Sequence, residues 1–298
     1  MVLSPISKKE SSFIFHIPSK DIIHLYQKEL GIDVSPYFKD TPQVGVYQCP
    51  DTHYRHYYPN HLAGDGKFYE ALQKYPWYYS EWKWDYNEAI HFIEEGSTVL
   101  DIGCGSGKFL NYLKEKKKCE CTGLELNESA INHAVQRGLN VKKEFVQQHA
   151  EDINNRYDVV CAFQVLEHIA DAGSFLEGAI KCLKPNGKLI ICVPNNNPWF
   201  YQYDQFHTLN LPPHHMNMWN EESLTRLAAY YGFDKVEIKE EPVSRYRFFA
   251  RQKLKTGQNI VSRIFYPILY PIITLTTYFN KENIKAGSIL SVYSRQKK

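Results

Sequence analysis

The sequence lacks a strong charge of either sign, and this absence narrows the classes of partner. Its 298 residues contain 35 Lys and Arg against 33 Asp and Glu, which leaves a formal net charge of +2. An excess this small produces no global field that would draw the protein to nucleic acid or to acidic surfaces. We therefore expect no nucleic-acid partner.

Targeting and low-complexity segments are also missing. The first twenty residues mix Lys8, Lys9 and Glu10 with short apolar runs, which is not the pattern of a signal peptide. No Gly/Ser linker or internal repeat is visible. The length suits one elaborated α/β domain, or a core with a small N-terminal addition.

Cysteine does not show the paired pattern of a disulfide framework. The chain has seven cysteines, an odd number, and most of them fall inside predicted strands or on an apolar helix face. Such positions are typical of buried thiols in a reducing compartment. We therefore predict a cytoplasmic protein.

The most informative feature that is present is a glycine-rich turn. An apolar strand containing Asp101 runs into Gly103, Gly105 and Gly107, a helix follows, and Glu125 closes the next apolar strand. Glycines at such a turn let a ligand approach the backbone, and a carboxylate at the next strand end can accept two ribose hydroxyls. An ordinary tight strand-to-helix turn is the alternative.

Asp101 bears on the type of ligand. A carboxylate would repel a pyrophosphate at the helix N-terminus but would attract a cationic amino-acid group, so a nicotinamide-dependent oxidoreductase is disfavoured. With these residues the sequence resembles the class I S-adenosylmethionine-dependent methyltransferases. Within them it resembles the type 11/23-like members that methylate cell-surface glycans and small molecules. The resemblance runs from about Trp82 to Gly232 and returns at the C-terminus.

The resemblance implies a role for each matching residue. The acidic residue and glycines of the turn hold the methionine part of S-adenosylmethionine, and Glu125 holds the ribose, with Leu126 as a further cofactor-binding residue. Glu151 lies beside the adenine, and Gln164 faces the cofactor. The implied cofactor residues are therefore Asp101, Gly103, Gly105, Gly107, Glu125, Leu126, Glu151 and Gln164.

Strand and helix patterns alternate from Thr98 to Val193, which predicts an α/β fold. With the resemblance, we expect a Rossmann-like, mostly parallel seven-stranded sheet with helices on both faces. Residues 1–80 are rich in Tyr, His and Pro, with little helical periodicity after Asp33, and we predict an N-terminal cap or lid there. The core then comprises residues 81–298, with an insertion at about 242–285 before the last strand.

An aromatic segment precedes the core. Residues 75–86 contain seven aromatic side chains in twelve positions. Rings in this number can form a lid that excludes water and offers cation–π contacts to a sulfonium. We predict that Tyr78, Tyr79 or Trp82 lines the cofactor pocket, and Tyr79 and Trp82 complete the predicted cofactor site. The alternative is that the rings only join the cap to the core.

Three histidines are candidates for a catalytic base, since histidine suits this role near neutral pH. His168 follows the predicted fourth strand, and the pair His214-His215 follows two prolines in a segment that resembles the acceptor side of sugar methyltransferases. We therefore predict O-methylation of a sugar, glycan or other small molecule. The alternatives are N-methylation of a small metabolite and a non-catalytic module that binds S-adenosylmethionine.

We predict no metal. Some quinone and RNA methyltransferases bind a divalent cation through Glu-x-x-Glu-His after the fourth strand, but Gln164 replaces the first acid here. The remaining Glu167 and His168 are too few ligands for a hard cation. In the N-terminal region, Cys49 has no cysteine partner nearby for a structural zinc site with His53 and His56.

The last unusual segment lies near the C-terminus. Residues 245–263 contain six basic residues and no acid, and residues 264–280 contain no charge. Seventeen residues interrupted by Pro267 and Pro271 are too few for a spanning helix. The segment at about 245–280 fits a peripheral membrane contact, a lid or a homodimer surface.

Overall fold

The computed structural model describes residues 1–75, 83–196, 208–242 and 285–295. The aromatic residues Tyr78, Tyr79 and Trp82 lie outside these ranges, as does nearly all of the predicted insertion at 242–285. The membrane, lid and dimer hypotheses for residues 245–280 therefore stay predictions.

A seven-stranded sheet forms the centre of the molecule. Its strands are β4 (Thr98–Ile102), β5 (Glu120–Leu124), β6 (Asn140–Lys142), β7 (Tyr157–Phe163), β8 (Leu183–Pro194), β10 (Lys235–Pro242) and β11 (Lys285–Ser294). Their spatial order is β10-β11-β8-β7-β4-β5-β6, and β11 is the strand that runs antiparallel to its neighbours. The predicted α/β, Rossmann-like fold is confirmed.

Helices cover both faces of this sheet because the central strands are apolar on both sides. In β7, Val160 and Ala162 belong to one buried cluster, whereas Val159 and Cys161 belong to another on the opposite face. This double burial is typical of parallel strands. The helices of the core are α3 (Trp84–Ala89), α4 (Lys108–Lys117), α5 (Glu128–Gln136), α6 (Val146–Asp152), α7 (Ala172–Cys182) and α8 (Glu221–Tyr230).

The N-terminal region builds a second, antiparallel sheet of four strands. Its order is β1 (Ser12–Pro18), β2 (Gln43–Gln48), β3 (Arg55–Tyr58) and β9 (Asn217–Met218). The last of these strands comes from the chain that follows β8, so the second sheet is completed by a segment from the core. Stacked rings of Tyr54 and Trp219, 4.7 Å apart, add a packing contact at this junction.

Two helices accompany the second sheet, and one of them differs from the sequence-based expectation. Helix α1 spans Ser19–Leu30, and α2 spans Gly66–Gln73 in a region whose sequence shows little helical periodicity. Helix α2 forms because the Asp65 side chain caps its first turn through the Phe68 amide, 3.1 Å away. It is only eight residues long and buries just Phe68 and Leu72, too few to give a clear periodic signal.

All seven cysteines are free thiols, and six of them are buried. Burial raises the pKa of the Cys161 and Cys192 thiols well above the usual value. Among the described residues, no helix is both long and apolar enough to cross a membrane.

Candidate active site

The glycine turn joins β4 to α4 at the carboxyl edge of the large sheet. A Cβ atom at Gly103 would lie 2.5 Å from the Val165 side chain, and one at Gly107 would lie 2.4 Å from Leu139. Both positions therefore require glycine for close packing. A Cβ atom at Gly105, where φ is +55°, would meet no atom of the described residues within 4 Å. Gly105 is thus the place where a ligand can approach the backbone.

Glu125 lies directly beside this turn. Its carboxylate accepts hydrogen bonds from the amides of Gly105, at 2.9 Å, and Asn127, also at 2.9 Å. A third bond comes from the Leu126 amide at 2.7 Å, whereas the Leu126 side chain is 47 % exposed. The end of β5 is therefore held against the turn, as a ribose-binding carboxylate requires.

Acidic groups dominate the electrostatics of this edge. Asp101, at 2 % exposure, has a pKa raised well above its usual value by burial, and the charges of Glu125 and Asp85 raise it further. The ammonium group of Lys83 acts in the opposite direction. A cationic ligand group near Asp101 would also lower this pKa, so the residues fit an amino group or a sulfonium.

Gln164 follows β7 in a left-handed backbone conformation, with φ at +58°. Its backbone N–H donates to the Cys192 carbonyl at 2.8 Å. Its side-chain amide donates to the Ser288 hydroxyl oxygen at 3.3 Å. A non-glycine residue in this conformation stores strain, which is common at functional sites. The next residue, Val165, packs on Gly103.

The three predicted catalytic histidines lie together beyond Val165. His168 ends a short 3-10 helix at Leu166–His168, and His214 and His215 precede β9. Their ring centroids are 4.5 to 4.9 Å apart in all three pairs. We call these three residues the histidine cluster.

Backbone carbonyls fix the orientation of two of these rings. The Nδ1–H of His168 donates to the His214 carbonyl at 2.6 Å, and the Nδ1–H of His214 donates to the Leu209 carbonyl at 2.9 Å. A carbonyl oxygen can only accept, so in the neutral form of either ring Nε2 carries the lone pair.

Burial also sets the protonation of the groups at the cluster. It lowers the pKa of His168 to about 4, and the His214 carbonyl partly opposes this change. It raises the pKa of the adjacent Glu167, at 1 % exposure, to about 8. Near neutral pH the imidazole of His168 is therefore uncharged, and Glu167 is mainly protonated.

Residues that the sequence reasoning missed hold the cluster in place. The Asn217 side chain donates to the carbonyls of Leu166, at 3.2 Å, and Ile169, at 2.6 Å. The Tyr69 ring, from α2, lies edge-on to His168 with the centroids 5.7 Å apart. Asn217 and Tyr69 are far from His168 in sequence, and no local pattern marks either as part of a site.

The structure describes only some of the remaining predicted cofactor residues. Glu151 is exposed in α6, at the C-terminal end of that helix, and its role beside an adenine stays a prediction. Tyr79 and Trp82 lie outside the described residues. The cofactor roles of the glycines, Asp101, Glu125 and Gln164 also stay predictions.

Residues 77–238, more than half of the chain, match the family described as Methyltransferase domain. The chain belongs to this family. Membership confirms the predicted methyltransferase class with S-adenosylmethionine as cofactor.

Two curated relatives with similar sequences share one name. The ubiquinone biosynthesis O-methyltransferase of Proteus mirabilis is 33% identical over 125 residues, covering 37% of this chain and 51% of the relative. Its counterpart in Pseudomonas paraeruginosa is 30% identical over 125 residues, covering 38% and 53%. The chain thus spans about half the length of the curated relatives it matches.

A solved structure agrees with the fold. A SAM-dependent methyltransferase from Archaeoglobus fulgidus aligns with a TM-score of 0.51 and 20% identity. The alignment covers 70% of this chain and 90% of that one. At this identity the likeness supports the fold alone.

Proposed function

We propose that the protein transfers the methyl group of S-adenosylmethionine to a hydroxyl oxygen of a small-molecule acceptor. The observation that carries this proposal is the contact between the glycine turn and the chain that leads to the histidine cluster. Val165 packs on Gly103, and His168 follows three residues later. A cofactor at the turn and an acceptor at the cluster would then be neighbours.

On the cofactor side, the chain supplies binding and orientation. Gly105 leaves its backbone open to the methionine part, Asp101 attracts the amino group, and Glu125 accepts the ribose hydroxyls. Bound S-adenosylmethionine brings a methyl group already activated by the sulfonium. The protein therefore needs to align the two reactants and to exclude water rather than to activate the carbon.

On the acceptor side, a hydroxyl must lose its proton as its oxygen attacks. The histidine cluster provides ring nitrogens with lone pairs, including Nε2 of His168, where this proton can go. A neutral amine is a strong enough nucleophile to attack first and lose its proton afterwards, so it needs no such acceptor. This difference, with the names of the curated relatives, favours oxygen over nitrogen.

The acceptor class is the finer part of the proposal. The Pro-Pro-His-His segment at residues 212–215 resembles the acceptor side of sugar methyltransferases, so a sugar hydroxyl is our first candidate. Other small hydroxyl compounds fit the same chemistry. The three imidazoles and their aromatic neighbour Tyr69 offer both polar contacts and a ring face.

Isotope transfer tests the function. The protein is incubated with S-adenosylmethionine carrying a deuterated methyl group and with fractions of an extract from its source cell, and products are analysed by mass spectrometry. We expect a labelled hydroxyl compound, and the variant Gly105→Arg should give none. A label on nitrogen would contradict O-methylation. Binding of S-adenosylhomocysteine without label in any fraction would indicate a non-catalytic binding module.

A further inference from the structure

The histidine cluster has the arrangement of a ligand set for a metal ion. One ring nitrogen of each of His168, His214 and His215 lies within 4.8 Å of one from each of the others. Around a tetrahedral zinc ion, nitrogen ligands are separated by about 3.3 Å. The three nitrogens would therefore have to approach one another by up to about 1.5 Å to share a common ion.

The hydrogen bonds of the rings agree with this role. Histidines that bind a metal through one nitrogen almost always donate their other N–H to a carbonyl or carboxylate, which orients the ring. His168 and His214 make such bonds to the carbonyls of His214 and Leu209. The lone pair that a metal would take therefore lies on Nε2 in both residues.

Glu167 adds a fourth donor next to these rings. Its Oε1 lies 3.8 Å from Nε2 of His168, and its Oε2 has no hydrogen-bond partner among the described residues. At 3.8 Å these two atoms are too far apart for a direct hydrogen bond. A cation between them would satisfy both, at a spacing that two bonds of about 2.1 Å can span.

We propose that His168, His214, His215 and Glu167 form a binding site for a first-row divalent transition metal such as Zn²⁺. Three imidazoles with one carboxylate suit zinc and its neighbours, whereas Mg²⁺ and Ca²⁺ prefer sites made of oxygen. The His168 side chain is 17% exposed, which leaves a way in for the ion.

This proposal revises the sequence-based expectation of no metal. In the sequence, Glu167 and His168 stand alone because the other two ligands are 46 and 47 positions away. The fold brings them together when the segment after β8 returns to complete the N-terminal sheet. In one respect the inference rests on the proposed function: with the ion bound, Nε2 of His168 would no longer take the acceptor's proton, and coordination of the hydroxyl to the ion would instead make that hydroxyl more acidic.

Metal binding can be measured without any acceptor. The full chain is stripped with a chelator and titrated with Zn²⁺ alone by calorimetry. X-ray absorption then gives the ligands of the bound ion. We expect one equivalent per chain with a dissociation constant below about 1 μM. Its shell should contain only nitrogen and oxygen at about 2.0–2.1 Å. A shell with sulfur at about 2.3 Å would place the ion on cysteine and overturn the proposal.

Variants separate the cluster from the rest of the chain. His214→Ala should weaken Zn²⁺ binding by roughly 100-fold, and Glu167→Gln, which keeps the side-chain volume, by roughly 10-fold. His24→Ala, which removes an exposed histidine from α1, is the matched control and should bind as the wild type does. Equal affinity in the wild type and both cluster variants would overturn the proposal.

Cofactor affinity is measured in the same samples. S-adenosylhomocysteine should bind the wild type and Glu167→Gln alike, which shows that the variant is folded. Loss of Zn²⁺ binding with cofactor binding intact supports the metal site. If the wild type binds S-adenosylhomocysteine but no Zn²⁺, the metal proposal fails and the cofactor site of the proposed function stands. If the wild type binds Zn²⁺ but no S-adenosylhomocysteine, the proposed function fails and the metal site stands.

Discussion

The glycine turn and the histidine cluster are neighbours at one edge of the sheet, but they are built in different ways. The turn and its carboxylate Glu125 come from one β-α-β stretch of the chain. The cluster needs the segments that follow β7 and β8, with Tyr69 and Asn217 as supports. The predicted cofactor site is therefore built from residues that are close in sequence. The histidine cluster instead depends on long-range packing.

We expect the largest effect from Gly105→Arg, which alters the glycine turn. A long side chain would fill the open space in front of the turn, and we expect affinity for S-adenosylhomocysteine to fall by more than about 100-fold. Gly105→Ala is the matched control. Alanine at this position has the same unfavourable positive φ as arginine would have. Its side chain is only a methyl group, which would lie in open space. Calorimetry should show far weaker binding only for arginine, and normal affinity in Gly105→Arg would refute the site.

The variant His168→Ala tests the histidine cluster. Loss of this ring removes a proton acceptor or a metal ligand, and turnover should fall roughly 100-fold or more. Affinity for S-adenosylhomocysteine should stay within about twofold, because the turn is not touched. His214→Ala should behave in the same way. Unchanged rates with a labelled acceptor in both variants would place the proton-accepting group elsewhere.

The variant Asn217→Leu tests whether the histidine cluster depends on long-range packing. Asn217 is fully buried, and the variant leaves the carbonyls of Leu166 and Ile169 without their donor. We expect a loss of about 2 kcal/mol in the free energy of unfolding. Asn111→Leu, which removes an exposed hydrogen bond to Glu115 on α4, should lose less than about 0.5 kcal/mol in denaturant titrations. An equal loss in both would mean that Asn217 does not secure the cluster.

The smallest effect concerns the N-terminal sheet. Burial lowers the pKa of His56, on β3, to about 4, against about 6.5 when unfolded. The unfolded chain therefore binds more protons between these values, and this group's stabilisation is lost as pH falls. From pH 7 to pH 5 it should account for about 1–2 kcal/mol of the lost free energy of unfolding.

The variant His56→Gln should remove that share of the pH dependence. Unfolding is followed in urea at both pH values. His24→Gln, which removes an exposed imidazole from α1, is the control. A pH dependence that is the same in His56→Gln and the wild type would show that His56 is not the group responsible.

Local patterns explain why much of the fold could be predicted. The run from Asp101 to Gly107 and the strand that ends at Glu125 each carry their signal within a few residues. The fold and the family are therefore recognisable in the amino-acid sequence alone. Helix α2 was missed because its stability comes from a cap and two buried side chains, not from a long amphipathic pattern.

The histidine residues were recognised as candidates, but their proximity was not. Adjacent histidines at 214 and 215 drew attention as a pair, whereas their contact with His168 depends on how the chain returns after β8. The expectation of no metal followed from counting only the ligands near Glu167 in sequence. Asn217 and Tyr69 carry no chemical signature of their own, so only the packing shows that they support the site.

A crystal structure of the full chain with S-adenosylhomocysteine tests most directly whether the glycine turn and the histidine cluster form one active site. We predict that the ligand lies on Gly105 with its ribose at Glu125 and its sulfur facing His168 and the rest of the cluster. Binding elsewhere, or at the turn with the sulfur facing away from the histidines, would contradict the account.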